Sequence, residues 1–127
     1  MGEKLGEMTL NSLRIITGFL FIPHGAQKLF GVLGREAVPL MSLPGVAGVL
    51  EFFGGILILF GIFTRPVAFV LSGQMAVAYW MAHGRQAFLP IANGGELAVL
   101  YCFVFLFLFA NGGGELSVDG WLRRRKT

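Results

Sequence analysis

The sequence predicts an all-α membrane protein, a four-transmembrane-helix bundle built from two helical-hairpin repeats. Three observations predict it. Apolar residues make up 55% of the 127-residue chain and charged residues 13%, about half the roughly 25% charged share of a soluble domain. Four apolar runs approach the ~20 residues that a helix needs to cross the hydrocarbon, and little chain is left between them. The stretch His24-Gly25-Ala26-Gln27-Lys28-Leu29-Phe30 returns as His83-Gly84-Arg85-Gln86-Ala87-Phe88. Each copy closes an apolar run; a Leu-Pro pair follows (Leu43-Pro44, Leu89-Pro90), then a lone glutamate, Glu51 or Glu96, just inside the next run. A repeated order of this kind marks two copies of one supersecondary unit, which places the two histidines and the two glutamates at equivalent depths.

The predicted helices cover about residues 10–30, 45–63, 66–83 and 94–110, after a short polar lead over residues 1–8. The first run contains Arg14 and Pro23. Proline removes one helical hydrogen bond, so a kink is expected just before His24, of the kind membrane helices tolerate. No small-x-small cleavage site follows this run, and it forms half of the repeat, so it reads as retained and not as a signal peptide. Residues 31–44 make the longest loop. In the second helix Gly48, Glu51 and Gly55 share one face, with Gly54 beside them. Small residues let a neighbouring helix close in, so Glu51 is expected to be buried against protein and not lipid. Thr64-Arg65-Pro66 is a turn in which Thr64 can cap the third helix and Pro66 can take its first position. That helix carries Gln74 in its middle and ends near Tyr79 and Trp80, aromatics suited to the membrane interface. The fourth helix holds Glu96 and Tyr101. Its alternating Phe103, Phe105, Phe107 and Phe109 mimic a strand, but the residues between are apolar too, and a lipid-facing helix explains the run. Asn111-Gly112-Gly113-Gly114 ends it, and residues 115–127 form a basic tail with Trp121 at the interface.

The net charge is +3, largely from Arg123-Arg124-Arg125-Lys126. With four crossings, both termini and the Thr64-Arg65 turn share the side that holds Lys4, Arg14, Arg65 and the tail; Lys28, Arg35 and Arg85 lie opposite. The positive-inside rule then predicts an integral cytoplasmic (inner) membrane protein, multi-pass, with both termini cytoplasmic and the lipid bilayer as its first partner. The tail reads as a topology signal facing anionic lipid, not as a nucleic-acid contact. A single cysteine, Cys102, excludes an internal disulfide and dithiol cycling, and its apolar setting makes it an inert packing residue. The sequence shows no P-loop, dinucleotide fingerprint or nucleophile triad, so any chemistry belongs to the bundle, its rims or a partner.

Taken together, these residues resemble the DoxX family of small four-helix membrane proteins. The matching features are Arg14 and the ending Gly25-x-x-Lys28-Leu29-x-Gly31; Glu51-x-x-Gly54-Gly55 followed by Gly61-x-x-Thr64-Arg65; His83 after the third helix; Gly95-Glu96 opening the fourth; and the tail Gly112-x-Gly114-x-x-Ser117-x-Asp119. The resemblance covers nearly the whole chain, and the one departure is Val118 where the family usually has leucine. It implies a link to redox chemistry at the membrane. The family includes, or sits beside, subunits of a thiosulfate:quinone oxidoreductase, other members are tied to complexes that handle oxidative or thiol stress, and more distant relatives are assembly factors. No catalytic residue of established role is carried over.

An ionisable group inside the bilayer costs roughly 2.5–3.5 kcal/mol on the insertion scale, so Glu51 and Glu96 are neutral, paired or functional. Arg14 lies near the opposite rim, whereas Lys28, His24 and His83 lie on the glutamates' side. One reading is structural: the glutamates fasten the hairpins, Arg14, Gln74 and Arg65 are polar supports, and the chain is a membrane scaffold or assembly factor, open to forming a homo-oligomer. A second gathers His24, Glu51, His83 and Glu96 around a transition metal, or uses the two histidines as axial ligands of a haem, without the Glu-x-x-His spacing of di-iron bundles. A third places a quinone at the outer rim. His24, Gln27, Lys28, His83 and Gln86, with Tyr79 and Trp80, would receive its carbonyls, Glu51 and Glu96 would relay protons, and a soluble or membrane redox partner subunit would supply electrons. The resemblance favours this third reading, a small integral membrane subunit of a redox complex.

Overall fold

The computed structural model describes residues 2–32, 34, 36–82 and 88–126. Among them all regular structure is helical: α1 (Gly2–Phe30), α2 (Leu43–Phe60), α3 (Thr64–Ala82), α4 (Pro90–Asn93), α5 (Glu96–Asn111) and α6 (Val118–Arg125). The long helices run alternately up and down. Gly18 and Gly25 of α1 lie against Gly55 and Gly48 of α2; Gln74 of α3 reaches Glu51 of α2; and Arg65 and Ser72 of α3 bond the carbonyls of Ala110 and Cys102 in α5. Phe21 of α1 closes the ring on α5, 5.0 Å from both Tyr101 and Phe105. The largest contacts are α1 with α2 and α3 with α5. The second copy of the repeated motif falls on residues 83–87, outside the described residues.

The core comprises Phe21, Ile58, Ala68, Leu71, Met75, Tyr101, Phe105 and Leu108. Around it the surface is apolar, with Phe19, Phe53, Phe60, Phe69 and Phe103 all more than half exposed. Phe105 departs from the expected lipid-facing run because it is fully buried, while Phe103, Phe107 and Phe109 stay outside. Among the described residues two helices, α1 and α2, are long and apolar enough to cross a membrane; α5 is apolar but has 16 residues.

The helix ends differ from the sequence expectation for local reasons. The polar lead is helical from Gly2, and α1 continues through Pro23; its first turns are held by the tail, where Glu7 accepts the Glu115 N–H and Asn11 accepts that of Leu116. Ser42 caps α2 by accepting from Gly45 N. The helix stops at Phe60 and not near residue 63, because Gly61 takes a left-handed φ of 70° and closes it. The expected cap of α3 is corrected outright. The hydroxyl of Thr64 is buried with no hydrogen-bond partner, and the carboxylate of Asp119 accepts from Phe63 N and Thr64 N at 2.8 Å each. The fourth predicted helix is α5, which begins at Glu96, and the stretch expected as loop before it carries the short α4, closed by Gly94 with φ 75°.

The tail is a strap across the same end. Arg14 is 1% exposed. Its Nε donates to Ile58 O at 3.1 Å, Nη1 to Asn11 Oδ1 at 3.1 Å and to Gly113 O, and Nη2 to Leu116 O at 2.6 Å. Farther out, hydrogen bonds from Arg124 and Arg123 hold the Glu115 carboxyl below the ordinary carboxylate range.

Thermal unfolding in detergent tests these contacts. A methyl at Gly25 would meet the backbone N of Phe52, so Gly25→Ala should cost on the order of 1–3 kcal/mol as overpacking. Gly73, with open space around it, should instead gain up to about 1 kcal/mol as alanine from helix propensity. Asp119→Ala should cost about 1–2 kcal/mol as a lost cap, and Asp119→Asn, which keeps an acceptor, less.

Candidate functional site

At the other end, the glycine face of α2 buries Glu51 to 2% exposure. One carboxylate oxygen, Oε2, is held twice: by Lys28 Nζ at 2.6 Å and by Gln74 Nε2 at 2.9 Å. Lys28 sits in the last turn of α1, and its backbone carbonyl accepts from Val38 N at 2.8 Å, so the returning loop fixes its position. The pair is asymmetric, with side-chain exposures of 20% for Lys28 and 3% for Glu51. A cation at this distance compensates the buried carboxylate, which alone would be far too costly inside a bilayer. Gln74 must turn its amide NH₂ toward the carboxylate, and its Oε1 is left buried without a hydrogen-bond partner.

Beside this group lies a cleft of about 230 Å³ lined by Phe21, His24, Lys28, Glu51, Met75 and Tyr101 together with Ala78, Gly94, Leu97 and Ala98. Tyr101 is 8% exposed; its ring meets His24 edge-on at 6.3 Å and tilts against Phe21 at 5.0 Å. Neither the second oxygen of Glu51 nor the hydroxyl of Tyr101 bonds any described residue. The cleft therefore presents an acceptor, a phenol, an imidazole and an ammonium on otherwise apolar walls.

The structure brings together Lys28, Glu51 and Gln74, with His24 on the cleft wall and exposed. It does not bring Glu96 to them. Glu96 is exposed and lines a separate cleft with Leu97, Leu100 and Phe103. It stands five residues before the inward-facing Tyr101, so at 3.6 residues per turn it points roughly 140° away. That corrects the expectation of a shared site built from both glutamates. Gln27 is half-buried, Tyr79 is half-buried and packs at 5.3 Å on the exposed Trp80, and none of the three lines the cleft. His83 and Gln86 lie outside the described residues. Among the described residues no three His, Cys, Asp or Glu side chains come close enough to hold a metal ion. Arg14 and Arg65 serve the opposite end. Cys102 is half-buried, with Sγ 3.5 Å from Ser72 Oγ. Sequence reasoning missed Tyr101 and Met75 as site residues; the signal available for Tyr101 was a lone phenol in a phenylalanine-rich run. It also missed Asn11, and it named Asp119 in the tail motif without seeing its role; these two residues support the strap.

A family model described as DoxX matches residues 9–84. The chain belongs to the DoxX family. An uncharacterized protein of Haemophilus influenzae is 42% identical over 92% of this chain and 92% of its own length. The inner membrane protein YqjF of Escherichia coli is 29% identical, covering 97% of this chain and 98% of that one. CatD of Bacillus subtilis, provisionally named an oxidoreductase, is 29% identical over 90% and 87%. No solved structure matches. Family membership, two helices of spanning length and a surface of exposed phenylalanines put this DoxX protein in the lipid bilayer.

Removing the cation should expose the dependence of Glu51 on it. Lys28→Met is expected to lose about 3–5 kcal/mol, as for other buried ion pairs broken on one side. The Lys28→Met/Glu51→Leu double variant should recover much of that loss, both read from unfolding midpoints in detergent.

Proposed function

We propose that this DoxX protein crosses the inner membrane four times with both ends in the cytoplasm. In this reading it is the small integral subunit of a redox complex, and the Glu51 cleft receives a quinone headgroup. The observation that carries the reading is the divided carboxylate of Glu51, a residue lining an aromatic cleft, one oxygen anchored by Lys28 and Gln74 and the other without a hydrogen bond to any described residue. The orientation is supported by charge. Arg14, Arg65 and the basic tail gather at one end of the alternating helices, and Lys28 stands at the other.

The donor set fits such a headgroup. Its carbonyl oxygens need hydrogen-bond donors, which Tyr101, His24 and Lys28 supply, and its flat ring suits the faces of Phe21 and Tyr101. At about 230 Å³ the cleft is smaller than the roughly 300–1,000 Å³ of sites that enclose whole ligands, so a headgroup fits and a hydrocarbon tail would lie in the lipid. A bound quinone supplies two-electron, two-proton chemistry, with electrons from a partner subunit. Lys28 and Gln74 hold Glu51 in place, Glu51 moves a proton at its free oxygen, and Tyr101 orients the oxygen that receives it. The provisional oxidoreductase name of the CatD relative agrees with this class.

The test is binding of a short-chain benzoquinone to the detergent-purified protein by calorimetry. Tyr101→Phe and Glu51→Gln should each weaken binding about tenfold, equivalent to about 1.4 kcal/mol, and Glu96→Gln should leave it unchanged. No binding by the parent protein, or equal binding by all variants, would sink the quinone reading. If activity in cells then failed on Gly48→Leu and survived Glu51→Gln, the chain would be a scaffold.

A further inference from the structure

At the end opposite the Glu51 cleft, α6 lies across α1 and α2. Ser117 caps it, accepting from Gly120 N at 2.9 Å and donating to Gly114 O at 2.7 Å. Asp119 turns inward to α3, and Gly120 is buried. Facing out are Trp121 and Leu122, each nearly half exposed, and the exposed cations Arg123, Arg124, Arg125 and Lys126. Between α6 and the α1–α2 pair runs a cleft of about 590 Å³, with apolar walls from Ile15, Leu59, Phe60 and Trp121 and with Arg124 and its partner Glu115 also lining it. Arg14 also borders it, but backbone carbonyls already engage that guanidinium.

We infer that this cleft binds one anionic phospholipid, its acyl chain along Ile15, Leu59 and Phe60 and its phosphate at Arg124 and Arg125. Charge complementarity selects the headgroup. The Glu115 carboxylate is shared between Arg123 at 2.8 Å and Arg124 at 3.0 Å, Arg124 also donates to Glu115 O at 2.7 Å, and the four basic residues of the tail outnumber its acidic side chains, Glu115 and Asp119. Arg125 sits 5.0 Å over the Trp121 ring, which holds a cation at the depth where indole rings settle between hydrocarbon and headgroups. A zwitterionic lipid would bring its own ammonium against these arginines, whereas an anionic one gains from them. The volume lies within the range of small-molecule sites, and the apolar walls continue into the lipid-facing surfaces of α1 and α2. This inference needs the bilayer but not the quinone reading.

The chain has two tryptophans, Trp80 and Trp121, so Trp80→Phe leaves Trp121 as the sole reporter. In that background, reconstituted into mixed phosphatidylglycerol and phosphatidylcholine vesicles, the bromine label is placed on the acyl chains of either lipid at equal mole fraction. Brominated phosphatidylglycerol should quench Trp121 several-fold more strongly. Arg124→Gln/Arg125→Gln should abolish that preference, bringing quenching by the two lipids close to equal, with the emission maximum unchanged to show that α6 is still docked. Lys4→Gln/Arg65→Gln, which removes the same charge elsewhere at this end, should leave the preference intact. Equal quenching by the two lipids in the Trp80→Phe parent, or an equal loss in both double variants, overturns the site; the second result would mean only a diffuse attraction to the charged leaflet.

Discussion

The guanidinium of Arg14 is shut inside one end of a molecule whose surroundings are lipid, and that end is built to satisfy it. Its partners are carbonyls at places where a chain has carbonyls to spare: Ile58 in the last turn of α2, and Gly113 and Leu116 where the backbone leaves α5. Carbonyls at and beyond a helix C-terminus have acceptor capacity that the helix does not fill, so a single cation serves several of them while they remove the cost of burying it. Because these acceptors come from different segments, the arginine ties α1 to α2 and to the tail. Asp119 then carries the tail back to the start of α3. Lipid offers no water as a substitute partner, which makes the arrangement close to all-or-none.

The same rule read at Glu51 gives a different result. Its oxygen Oε2 is held by two donors, but the other oxygen, the Tyr101 hydroxyl and the amide oxygen of Gln74 find none among the described residues. A polar group that exists only to hold helices together gains from being saturated, as Arg14 is. Polar capacity left unused beside an open aromatic cleft is what a ligand or a proton requires. The Thr64 hydroxyl is buried without a partner at the Arg14 end too, so the contrast lies in the charged groups themselves: a saturated guanidinium against a carboxylate bonded through one oxygen, both in a medium that makes charge expensive.

Much of this was legible in one dimension. The spacing of Gly48, Glu51 and Gly55 puts a carboxylate on the small-residue face of a helix, and Glu51 is buried there. The end of the molecule where Lys28 could meet it followed from where the two runs stop. The repeat misled at Glu96. Two copies of a motif suggest equivalent glutamates, but Gly94 and Gly95 interrupt the second copy with a separate short helix, and the restart turns Glu96 outward. Thr64 misled in another way. A threonine before a helix is a fair cap by local rules, yet a carboxylate 55 residues away takes the position.

The sequence by itself determined what each segment is: helical, apolar, glycine-faced, and charged at which end. These are local properties, set by side-chain chemistry and by the 3.6-residue period within a single helix. Only the tertiary structure decided which donor meets which acceptor: Asp119 with the start of α3, Arg14 with the tail, Gln74 with Glu51, and Glu96 with no described residue. In a medium without water each buried polar group must find a partner from whatever segment the fold brings alongside, and no periodicity along the chain encodes that arrival.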